Sequence, residues 1–125
     1  MMKQEHYPAY TILTNSALSN ALAIECMIEA YIDEQETELL ESAFCIASEQ
    51  VTVVRNIRDV SEPDPEIIKL AARSIGVSLM VSSLAETAEG GEKTESGGEL
   101  PEAILTMIRA CILSIKTIRC KLTEM

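Results

Sequence analysis

With 125 residues the chain holds one hydrophobic core, and 47% hydrophobic residues exclude a disordered polymer. Aromatics at 3% and the absence of Trp leave that core to Ile, Leu, Val, Ala and Met, a composition suited to interlocking helices. A formal net charge of −10 opposes general attraction to nucleic-acid phosphates and anionic membranes, so direct nucleic-acid contact and a membrane partner are disfavoured.

Residues 1–14 hold His6, Tyr7, Pro8 and Tyr10 and show no helical period, which reads as an irregular arm. A lysine, a glutamate and a proline precede any apolar run, so no secretory signal is expected there. The first helix is expected to start at Asn15 or Ser16, whose side chains can accept bonds from first-turn amides, and to run to about Ile32. Ala17, Ala21, Ile24, Ile28 and Tyr31 recur in a 4-3-4-3 rhythm that puts them on one helical face.

No Gly or Pro separates this helix from the next. Prolonging the same rhythm lands on Gln35, Glu38, Ser42 and Cys45, whereas the apolar set restarts one residue later at Leu39, then Ala43, Ile46, Gln50, Val53, Ile57 and Val60. A one-residue slip turns the face by about 100° on a helix of ~3.6 residues per turn, which favours a break within 33–37. Asp33 with Glu36, or Thr37 alone, is the expected cap of the new helix. Gln50 interrupts this line as Ser74 interrupts the next. The preferred reading is a face wider than one line, with Leu40, Ala47 and Val54 sharing the burial; the other is a polar residue that fixes register.

Ser61-Glu62-Pro63-Asp64-Pro65 reads as a stop and a restart, with Asp64 as N-cap and Pro65 at the first helical position. The third helix carries Ile67, Leu70, Ser74, Val77, Val81, Leu84 and Ala88 and is apolar nearly all round, so it is expected to be the most buried of the four. Its uncharged run, Ser74 to Ala85, is too short to cross a bilayer. Ala71, Ser74, Ser78, Ser82 and Ala85 form a ridge of small residues, the candidate oligomer interface. Gly76 signals either close backbone approach or mere tolerance. Residues 86–99, with four glycines and no large apolar side chain until Leu100, read as a flexible acidic linker. A fourth helix is expected from about Leu100-Pro101-Glu102, with Ile104, Ile108, Cys111, Ile115, Ile118, Leu122 and Met125 on its apolar face.

The expected architecture is all-α: a single domain over 1–125, an antiparallel four-helix bundle, helix-swapped or dimeric. Every charged residue from Glu5 to Glu49 is an acid, and every charged residue from Arg109 to Lys121 is a base. In an up-down-up-down bundle the first and fourth helices are neighbours, so these two sets would face each other. No catalytic constellation is recognisable: the single His sits in the arm, no Glu-x-x-His pair occurs, and Cys26, Cys45, Cys111 and Cys120 are scattered singly, which reads as reduced thiols in a cytoplasmic protein. No metal site and no cofactor is therefore expected.

The functional expectation is a non-enzymatic protein-binding module, a small adaptor, regulator or inhibitor of bacterial or phage type. It would dock a protein with a basic surface through Glu25, Glu29, Asp33, Glu36 and Glu41, and would itself be a homo-oligomer. The alternative is a DNA mimic whose carboxylates fill the phosphate-binding groove of a nucleic-acid-binding protein.

Overall fold

A computed structural model describes residues 7–61, 63–89 and 96–123, and all four elements among them are helices: α1 (Tyr7–Glu34), α2 (Thr37–Val60), α3 (Pro65–Glu89) and α4 (Ser96–Thr123). No strand occurs among the described residues. The helices pack against one another in a ring, α1 on α2 and α4, and α3 on α2 and α4. Along α3 and α4 the bonded pairs Asp64–Lys121 and Arg73–Ser114 run in opposite chain directions, the order of antiparallel neighbours.

The expected arm is corrected over 7–14, which is helical; residues 1–6 lie outside the described residues. Pro8 stands in the first turn, where an amide N–H has no helical acceptor to lose. Tyr10 and Thr14 continue the rhythm of the first seam backwards and are both buried. The polar Thr14 hid that continuation, yet its hydroxyl donates to the Thr11 carbonyl at 3.1 Å and so is satisfied inside the helix.

The break after α1 falls within the expected segment but is built differently. Gln35 adopts a left-handed φ of 58°, its N–H donates to the Tyr31 carbonyl at 2.7 Å, and its side chain caps the Ile32 carbonyl. Glu36 is the N-cap of α2 and makes no side-chain capping bond, so neither Asp33 nor Thr37 has the expected role. At the start of α3 the expected cap is present: Asp64 Oδ1 accepts the Glu66 N–H at 2.8 Å, with Pro65 as the first helical residue.

The expected linker is likewise shortened. Residues 86–89 belong to α3 and 96–99 to α4, leaving 90–95 outside the described residues. Pro101 sits inside α4 and is buried. Its missing N–H leaves the Gly97 carbonyl without its helical donor, a loss confined to the first turns of the helix.

The core follows the rhythm. Every described residue of the first, third and fourth seams is buried, with Ile24, Ile28, Leu70, Ile104, Ile108 and Ile115 nearly inaccessible; Ala88, Leu122 and Met125 fall among side chains that are not described. In α2 the face is wider than one line, as expected. Leu40, Ala47 and Val54 are fully buried, while Leu39, Ile46, Val53 and Val60 pack on the core's edge.

The expectation for α3 is overturned. Ile68, Ile75 and Leu79 are 57%, 41% and 67% exposed, so the helix that is apolar all round leaves one flank uncovered. The reason is geometric: in a ring of four each helix touches two neighbours, and about half of its circumference has nothing to pack against. The stretch Pro65–Thr87, with a mean hydropathy of 1.5, is also long and apolar enough by length and composition to cross a membrane, a test that core helices of helical domains pass as well. The uncharged run alone is short, but Lys69 and Arg73 interrupt the longer stretch without removing its hydropathy.

Candidate functional site

The five acids expected on one docking face are distributed over three places. Glu25 and Glu29, one turn apart on α1, hold the same guanidinium: Arg109 Nε donates to Glu25 Oε2 at 3.0 Å and Arg109 Nη2 to Glu29 Oε1 at 3.1 Å. The bond to Glu25, then that to Glu29, raises the guanidinium's pKa above its ordinary value. The acidic first helix thus does face the basic fourth, through Arg109. Lys121 goes instead to Asp64, the cap of α3, at 3.2 Å.

Asp33 and Glu36 stand exposed at the α1–α2 corner together with Glu34 and Glu38, and none of the four is in an ion pair among the described residues. Glu41 belongs elsewhere. It lies seven residues before Ser48, hence in the same longitudinal row, and Ser48 lines a shallow groove between α2 and α3.

That groove encloses about 320 Å³ between Ser48, Val51, Thr52 and Arg55 of α2 and Ile75, Ser78 and Leu79 of α3. Sequence reasoning missed it, although a signal was present: Ile68, Ala72, Ile75 and Leu79 repeat the 4-3-4 spacing on a second line of α3. Phe44, seven residues before Val51 and 38% exposed, extends the apolar surface along α2.

The ridge of small residues is divided between the core and the groove. Ser74 is 3% exposed and its hydroxyl donates to the Leu70 carbonyl at 2.7 Å; Ala71 and Ala85 pack on the core; Ser78 lines the groove against α2; Ser82 is half-buried. Gly76 has nothing within 4 Å of where a Cβ would stand, so its presence is tolerance rather than close approach.

Two interior polar groups have partners. Gln50 donates to the Ala17 carbonyl at 2.8 Å and accepts from Asn20 Nδ2 at 3.3 Å, tying α2 to α1. Cys111 is buried, and burial pushes its thiol up to about 11, against the opposing effects of a hydrogen bond with Ser74 and the charge of Arg73. The other three cysteines are exposed, and none of the four is in a disulfide. Among the described residues no three His, Cys, Asp or Glu side chains gather as metal ligands.

No protein-family model matches this chain, and no curated protein or solved structure matches it either.

Proposed function

We propose that the protein is a non-enzymatic binding module, a small cytoplasmic adaptor, regulator or inhibitor, folded as an antiparallel up-down-up-down bundle and docking a basic protein surface through its α1–α2 corner. The observation that carries this reading is that Asp33, Glu34, Glu36 and Glu38 crowd one exposed corner with no cation paired to them among the described residues. Like charges held together without compensation raise the local field and speed encounter with a positive partner. Glu25 and Glu29 contribute less, because Arg109 already neutralises part of their charge.

The test is charge reversal. Wild-type protein and the variant Asp33→Lys, Glu36→Lys, Glu38→Lys are immobilised and challenged with cell lysate at low and high salt. A protein retained at low salt by the wild type alone, and released by salt, supports the reading. Equal retention by both removes it. Release by added duplex DNA of what the wild type retains identifies the partner as a DNA-binding protein and the corner as a phosphate mimic.

A further inference from the structure

We propose that two copies of this chain associate about a two-fold axis through the α2–α3 groove, with the Glu41 and Glu86 end of each face against the Arg55 and Arg58 end of the other. The rows of the helices define the face. On α2, Glu41, Ser48 and Arg55 are spaced by seven, as are Phe44, Val51 and Arg58; on α3, Ile68 and Ile75 are spaced by seven, as are Ala72, Leu79 and Glu86. Ser48, Val51, Arg55, Ile75 and Leu79 line the groove, which fixes the direction in which all these rows point.

The ends of the face differ in charge. Residues 61–64 join α2 to α3, so Arg55 and Arg58 sit near that connection, and Glu41 and Glu86 sit near the opposite end. All four side chains are exposed, and none is in an ion pair among the described residues. Asp59 lies at the same end and offsets one of the two arginines, while Asp64 of the neighbouring connection is held by Lys121. Between the poles Phe44, Val51, Ile75 and Leu79 alternate with the hydroxyl side chains of Ser48, Thr52 and Ser78.

An acidic pole, a middle of small hydroxyls around the exposed Phe44, Ile75 and Leu79, and a basic pole make a surface that is its own complement under a two-fold rotation. Each pole of one copy meets the opposite pole of the other, and the exposed leucine and isoleucine bury each other. A uniformly basic partner would be repelled at the Arg55 end, and an anionic surface at the Glu41 end. From Glu41 to Arg58 the face is about 25 Å long at ~1.5 Å per residue, and two helices side by side make it roughly 20 Å wide. Each copy thus offers on the order of 500 Å², and the pair reaches about 1,000 Å², the lower edge of specific interfaces, the size of a reversible contact. This inference is independent of the acidic corner, whose residues lie outside the face.

Sedimentation velocity on the purified chain, from low micromolar to near-millimolar concentration, tests it. A concentration-dependent dimer is expected, weakened by salt. The variants Arg55→Glu, Arg58→Glu and Glu41→Arg, Glu86→Arg should each weaken self-association by about ten-fold or more, since both pole contacts of the dimer become like-charged. Mixed in equal amounts, the two variants should dimerise again, because every pole contact is then between opposite charges. Leu79→Asp, in the middle of the face, should remove the dimer while leaving helical content unchanged. A wild type that stays monomeric throughout overturns the proposal, as does a mixture that associates no better than its components.

Discussion

On the α1–α4 side, Arg109 reaches Glu25 and Glu29 at about 3 Å; on the α2–α3 side, Arg55 and Arg58 are in no ion pair among the described residues, and three large apolar side chains of α3 stand in the open. Both sides are built from the same seven-residue spacing. They differ in where opposite charges fall along neighbouring helices. Glu25 and Glu29 stand level with Arg109, so the pair closes within the chain. On the other side Glu41 and Glu86 stand at one end and Arg55 and Arg58 at the opposite end, too far apart to meet inside one molecule. Spacing decides which face a residue lies on, and its height along the neighbour decides whether it is used internally or left for something else.

The contrast between inward and outward apolar rows is sharpest in paired truncations. Ile28→Ala, in the core beneath the α1–α4 side, should cost about 2 to 5 kcal/mol. Leu79→Ala should stay within about 0.5 kcal/mol when urea midpoints are compared in dilute solution. A large loss for Leu79 would place that row inside the monomer and erase the distinction between the two sides.

The α1–α2 contact offers a third case, a neutral amide in place of charges or an open groove. Gln50→Ala should lower stability by about 1 to 3 kcal/mol in thermal or urea denaturation, through a cavity and two lost hydrogen bonds. Gln50→Leu should recover much of that loss, since it refills the space without leaving a buried amide unpaired. If Leu is as costly as Ala, the amide fixes the helix register.

Alkaline titration separates the dry interior from the wet groove. The thiol of Cys111 rises from 9.0 to about 11 in the folded chain, so the native state holds this proton more tightly than the unfolded one. The stability it contributes is fully present below pH 9 and is lost as pH rises through about 11; Tyr10, raised by burial and then by the charge of Asp64 to about 12, adds a second loss above pH 10. The urea midpoint should therefore fall across this window. Cys111→Ala should remove the earlier part of the fall, and Cys26, Cys45 and Cys120 should react with a thiol reagent well before Cys111.

Gly76→Ala should stabilise the chain by about 0.5 to 1 kcal/mol, because nothing opposes the added methyl group and the helix gains propensity. A destabilising result would mean that another molecule approaches this backbone. The smallest effect is expected for Arg109→Met: its ion pairs are largely solvated, so the denaturation midpoint should scarcely move, and less at high salt than at low. A marked loss would show that charge, and not only the core beneath it, holds α1 to α4.

The helices, their order and most of the core were legible from the sequence, because the 4-3 rhythm is a local property: on a helix of fixed pitch it decides which side chains share a face, whatever lies opposite. The one-residue slip after Tyr31 located the break for the same reason, and Asp64-Pro65 announced a cap made within a few residues. What failed locally failed where polarity or glycine masked the rhythm, at Thr14 in the first turns of α1 and at Gly97 and Gly98 in those of α4. The candidate site was far less legible. That Glu25 and Glu29 are occupied, that Glu41 belongs to a different face from Glu36, that the ridge from Ala71 to Ala85 is divided between core and groove, and that the row through Ile75 and Leu79 is left bare each depend on what the neighbouring helix presents at that height. Those contacts join residues as many as 84 positions apart, and only the packing of the four helices brought them together.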